Sequence, residues 1–224
     1  MLSDFITELK QSKYYQNIID NHKVIMMYVS GSRIIDVTDE RSDYDIVAVV
    51  DDSDVNDAEE FLTYDGVKAH WYYIPLSEFI AGNGKNALRS YGAVLFANIR
   101  EEVVICVNPE YEAVYKLLTL NKNYIAANGF KNMCRRYGRL IDSVAETGEI
   151  LPQHYTKILS HLCVASLAIT GERLSDETRN LLRQLKRIRW QPVSDEAKEW
   201  CVERVKLIKR ITDFGNLCSA YSVL

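Results

Sequence analysis

Tyr28-Val29-Ser30-Gly31-Ser32, then ten residues, then Asp43-Tyr44-Asp45-Ile46-Val47-Ala48-Val49-Val50: these two joined runs decide how the chain is read. The first apolar run, Val24 to Val29, ends at a Gly-Ser pair, and the second opens with two aspartates one residue apart. Side chains alternate along a strand. With Asp43 to Val50 extended, Asp43 and Asp45 project from one face while Tyr44 and Ile46 project from the other. Acid at the start of an otherwise apolar strand is unusual, and two carboxylates on one face beside a Gly-Ser turn define a chemistry.

Mg²⁺ is a hard cation that takes oxygen ligands, usually one or two carboxylates completed by substrate phosphates. Gly31 leaves its backbone N–H unobstructed and Ser32 adds a hydroxyl, so the turn suits the phosphates of a nucleoside triphosphate. Two carboxylates about 4 Å apart repel by near 4 kcal/mol at an effective dielectric of 20, a cost that a bound cation removes. An acceptor hydroxyl attacking the α-phosphorus in line would complete a nucleotidyl transfer. A bare Asp-x-Asp pair is more often the edge of a loop; its coupling to the Gly-Ser turn and to an apolar strand reverses that preference and favours the site.

The rest of the chain supplies the setting. With 224 residues, 47% hydrophobic and 26% charged, it can bury one sizeable core or two modest ones. A net charge of -4 disfavours a surface built to neutralise nucleic-acid backbones. Acidic Asp4 stands where a secretory leader needs a basic segment, and no stretch approaches about 18 uninterrupted apolar residues, so a cytoplasmic protein without membrane partners is expected. Cys106, Cys134, Cys163, Cys201 and Cys218 are odd in number and contain no CxxC pair, which reads as reduced, mostly buried thiols.

Periodicity predicts a helix over 3–20 capped by Ser3, a strand at 24–29 covered on both faces, a polar turn over 33–42, and the strand 43–50. Asp54 is expected to cap a helix through Glu60. Phe61 to Tyr64 and Val67 to Ile74 flank Asp65-Gly66 as a hairpin. A short helix after Pro75, a continuous helix over 87–100, a strand at 102–107 and a helix over 110–120 follow. Beyond about residue 121 the pattern is helical throughout, in segments 123–147, 152–170, 175–189 and 194–219. The expected architecture is α+β: a mixed sheet with flanking helices over 1–120, then an all-α bundle over 121–224.

Ser30-Gly31-Ser32, ten residues, and Asp43-Tyr44-Asp45 in an apolar strand resemble the signature of the nucleotidyltransferase superfamily that includes DNA polymerase beta, the aminoglycoside and lincosamide nucleotidyltransferases and the minimal nucleotidyltransferases. The resemblance covers about residues 1 to 110 in element order, and the helical remainder is similar to the bundle of the antibiotic-modifying members. It implies triphosphate at Gly31 and Ser32, Mg²⁺ or Mn²⁺ at Asp43 and Asp45, ATP as the expected triphosphate, and a small-molecule or protein hydroxyl as acceptor; a homodimer is left open. It also implies a third carboxylate on the strand after the hairpin, and there the chain carries His70. A histidine can act as base or as a nitrogen ligand better suited to Zn²⁺ or Mn²⁺ than to Mg²⁺, or simply be a hydrogen-bonded residue of an aromatic strand. The departure supports an alternative: a nucleotide-binding or catalytically impaired regulatory module, as in antitoxins of the minimal type.

Lys131, Arg135 and Arg139 recur every four residues and place three cations on one helical stripe, either a solvated face or partners for a triphosphate. His154, Tyr155, Lys157 and His161 open the next predicted helix and carry the same two readings.

Overall fold

The computed structural model describes residues 2–38, 42–54, 59–64, 67–90, 92–148, 175–187, 194–196, 199, 202–203, 206 and 210. The chain divides into two compact units, Met1–Gly129 and Phe130–Leu224.

The first unit is built on a sheet of five strands: β1 (Val24–Ser30), β2 (Tyr44–Val50), β3 (Glu59–Tyr64), β4 (Val67–Pro75) and β5 (Val104–Val107), in the spatial order β3-β4-β2-β1-β5. The β1–β2, β1–β5 and β3–β4 pairs are antiparallel, whereas β2 and β4 run parallel. All seven residues of β1 are buried, as its unbroken apolar run requires of an inner strand. The order has a geometric consequence. Because β1 is antiparallel to β2 and β4 is parallel to it, the C-terminus of β1 and the beginnings of β2 and β4 meet at one end of the sheet.

Each face has its own helical cover. α1 (Leu2–Gln11) and α2 (Lys13–Asn21) lie over the face carrying Tyr44, Trp71 and Tyr73. There Phe5 stacks on Tyr44 with centroids 3.6 Å apart, Tyr14 meets Trp71 at 5.5 Å and His22 meets Tyr73 at 4.6 Å. The opposite face carries Tyr28, which meets Phe79 of α3 (Leu76–Ala81) and Phe96 at 6.5 and 5.7 Å. Full burial of side chains of this size contributes about 1.5–3 kcal/mol each.

Several local expectations change. The helix predicted over 3–20 is two helices, because the Ser12 hydroxyl accepts from the Tyr15 N–H and caps a new start. Of the helix predicted from Asp54 through Glu60, residues 55–58 lie outside the described residues, and Glu59 and Glu60 are strand. The Asp54 carboxylate instead accepts the Lys23 backbone N–H at 2.6 Å and faces His22 Nδ1 at 3.3 Å, fastening the entry to β1 against the exit from β2. Of the helix predicted over 87–100, α4 (Lys85–Ser90) and α5 (Gly92–Leu95) are helical, and the segment passes into a 3₁₀ turn at Phe96–Asn98 before reaching residue 100. The strand expected at 102–107 is shortened by a 3₁₀ turn at Glu101–Val103.

α6 (Glu112–Leu120) and α7 (Lys122–Thr147) follow, α7 continuing from the first unit into the second. In the second unit the described residues also include a helix at Asp176–Arg187 and no strand. The predicted turn Asp65-Gly66, the helix over 152–170 and most of 194–219 lie outside the described residues. No helix among the described residues is long and apolar enough to cross a membrane.

Gly82, the left-handed end of α3 at φ +62°, abuts the backbone of Gly129, so a Cβ there would overlap main-chain atoms that cannot swing aside. Gly82→Ala combines left-handed strain of about 1–2 kcal/mol with that overlap. It should lower the thermal midpoint measurably, whereas alanine at the uncrowded Gly138 should raise it or leave it level.

Candidate active site

At the end where β1, β2 and β4 meet, the register pairs Ser30 with Asp45 across the antiparallel ladder and Asp45 with His70 across the parallel one. Directly opposed residues share a face. Ser30, Asp45 and His70 therefore form one row, at the position where the resemblance implied a third carboxylate beside Asp45. Asp45 and His70 are half-buried and Ser30 is fully buried.

Gly31 follows Ser30 at φ +71°, opening a 3₁₀ turn over Gly31–Arg33. A Cβ at Gly31 would overlap the Asp45 carboxylate. Two requirements thus converge on this glycine, a left-handed backbone and the close approach of a carboxylate to the main chain. The turn is held by Ile34 N–H to the Gly31 carbonyl at 3.3 Å and Val37 N–H to the Ser32 carbonyl at 2.9 Å.

Asp43 lies one residue before β2, so the strand is a residue shorter at its acidic end than the alternation predicted. Its backbone is fixed by Arg33, whose Nε donates to the Asp43 carbonyl at 3.2 Å and whose Nη2 donates to the Ser42 carbonyl at 2.7 Å. The same guanidinium lies 3.7 Å over the Tyr44 ring, which itself stacks on Phe5. Arg33 clasps the return of the loop onto the strand, a role that its place after Gly-Ser did not disclose. A cation over an aromatic face contributes about 0.5–1 kcal/mol, and the fork to two carbonyls adds to it.

Two further hydroxyls escaped the sequence reading. Tyr28 and Ser30 lie two residues apart on β1 and share its inward face with Asp45. Tyr28 Oη and Ser30 Oγ are buried and have no hydrogen-bond partner among the described residues. Burial pushes the Tyr28 phenol well above its ordinary pKa, so it stays a neutral donor. On β4, the Tyr72 hydroxyl lies 2.7 Å from His70 Nδ1.

Lys131, half-buried, and Arg135, exposed, belong to the second unit, as does Arg139. The row at the sheet end is built from the first unit alone. His154, Tyr155, Lys157 and His161 lie outside the described residues.

No protein-family model and no curated protein matches the sequence. A solved structure of a nucleotidyltransferase-like protein from Exiguobacterium sibiricum is similar over 96% of this chain and 78% of that chain, at 9% identity and a TM-score of 0.33. A likeness of that size decides neither fold nor chemistry, and both rest on the chain's own geometry.

Gly31→Ala should be destabilising by about 1–2 kcal/mol from backbone strain alone and should displace the Asp45 carboxylate; chemical denaturation measures the first. Tyr28→Phe removes a buried hydroxyl that has no described partner. It should leave stability unchanged or raise it by up to about 1–3 kcal/mol, and a comparable loss would reveal a partner for that hydroxyl.

Proposed function

We propose that the chain is a nucleotidyltransferase, moving a nucleoside monophosphate from a triphosphate, ATP in the first instance, to a hydroxyl of a small molecule or protein. One observation carries the reading: the Asp45 carboxylate lies so close to Gly31 that a Cβ there would overlap it, joining the carboxylate strand to the Gly-Ser turn at the sheet end. The mixed sheet with helices on both faces agrees with the α+β domain that the superfamily resemblance implies.

The donor set can be tested against the metal that this chemistry needs. Asp43 and Asp45 offer hard carboxylate oxygens, which suit Mg²⁺ or Mn²⁺. Among the described residues no group of three or more His, Cys, Asp or Glu is placed to hold an ion by itself. An ion held by these two carboxylates would complete its octahedron with phosphate and water. When bound, such an ion would offset negative charge on the phosphates and on the leaving pyrophosphate.

The chain's own residues do the rest. Gly31 and Ser32 present backbone N–H groups and one hydroxyl to the phosphates. Arg33 is committed to the Ser42 and Asp43 carbonyls and to Tyr44, and so keeps the carboxylate-bearing backbone in place. The acceptor oxygen forms its bond to the α-phosphorus as the bond to pyrophosphate breaks, and the acceptor proton leaves to a base or to water.

His70 favours a second reading. A histidine in register with Asp45 does not supply the third acid, which agrees with a module that binds nucleotide and turns it over slowly or not at all.

Pyrophosphate release with ATP, Mg²⁺ and a panel of hydroxyl acceptors tests the first reading. Asp43→Asn with Asp45→Asn should lower it by about a thousandfold, since charge stabilisation of several kcal/mol is lost. Activity surviving in the double variant rules the mechanism out. Calorimetry separates the second reading: ATP–Mg²⁺ binding without pyrophosphate release supports the module, and no binding at all removes both.

A further inference from the structure

His70 and Tyr72 are two residues apart on β4 and so share its face with Asp45, the register partner of His70. The Tyr72 hydroxyl is 2.7 Å from His70 Nδ1, and the ring centroids are 4.0 Å apart at 37°. Tyr72 is 6% exposed, so water competes little for its hydroxyl. The direction of this bond decides what His70 can do.

A neutral imidazole carries one proton, and whichever nitrogen lacks it is an acceptor. A neutral imidazole takes up a proton near pH 6.5, whereas a neutral phenol gives one up near pH 10 and its oxygen resists protonation, so the phenol is the better donor and the imidazole lone pair the better acceptor. The favourable arrangement has Tyr72 O–H donating to Nδ1. The ring proton is then on Nε2.

We propose that Tyr72 is a positioning residue that holds neutral His70 in the Nε2–H tautomer. His70 thereby serves the site as a hydrogen-bond donor to an anionic oxygen, and is neither a third metal ligand nor a base. A metal or a proton can be taken up only through a nitrogen lone pair. The lone pair on Nδ1 is engaged by Tyr72, and the proton on Nε2 occupies the other. A carboxylate would accept hydrogen bonds only, so His70 places a donor beside Asp45 where the resemblance implies an acceptor. That the anion is a phosphate oxygen of the triphosphate rests on the transferase reading; the tautomer does not.

Imidazole ¹⁵N shifts of the full-length protein, recorded about two pH units above the ordinary pKa of 6.5, read the tautomer without any assay of activity. The wild type should show His70 protonated on Nε2 alone, and Tyr72→Phe should introduce the Nδ1–H form. An Nδ1–H signature in the wild type, or the same signature in both proteins, overturns the proposal. In the transfer assay Tyr72→Phe should lower kcat by about three- to tenfold, the effect of one hydrogen bond. His70→Gln, which keeps an N–H near the ε position, should retain more activity than His70→Glu; the reverse order overturns the donor role. An inactive wild type with the Nε2–H signature would refute the transferase reading and leave the tautomer standing.

Discussion

The pairing of β2 between two ladders of opposite sense governs the first unit. Its antiparallel bonds to β1 and parallel bonds to β4 leave it no exposed edge, and Ile46 to Val50 are buried. Five such residues contribute about 0.8 kcal/mol per buried CH₂ and up to about 3 kcal/mol each, well above the roughly 4 kcal/mol of repulsion that two close carboxylates can impose at the strand's beginning. The apolar body of β2 therefore holds its acidic start in place. That imbalance allows a fold to carry a charged site at the tip of a strand buried along its body.

The two faces of the sheet divide the work. On one, the ladder of Phe5 on Tyr44, Tyr14 on Trp71 and His22 on Tyr73 seats the first two helices. On the other, aromatic packing around Tyr28, Phe79 and Phe96 passes toward the tip into the polar row of Ser30, Asp45 and His70. Arg33 links the two sides. It anchors the loop carrying Asp43 while stacking on Tyr44, whose ring lies on the face opposite Asp45. The position of Asp43 thus depends on packing beneath the sheet as well as on the strand.

Much of this was legible in the residue order, and the exceptions share a cause. The unbroken run Val24 to Val29 required an inner strand, and alternation around Tyr44 put Asp45 opposite the aromatic stack. The second helical start at Ser12 is not visible in the pattern because helical periodicity continues across it, while a single cap interrupts the backbone. Glu60 is in strand, and Asp54, which fits a helix cap in sequence, accepts the Lys23 N–H, a group 31 residues distant.

The sequence by itself determined the ingredients of the site, since alternation is a local property of an extended backbone: Gly31 beside Ser32, and Asp43 and Asp45 at the head of an apolar run. The superfamily resemblance drew attention to His70, where it implies an acid. Tertiary structure alone decided that β4 runs parallel to β2, that His70 is in register with Asp45, and that Tyr72 engages Nδ1. Tertiary structure decided too that Gly31 must lack a side chain because the Asp45 carboxylate occupies that space. Strand order and register arise from burial summed over many distant pairs, and no short stretch of sequence records that sum.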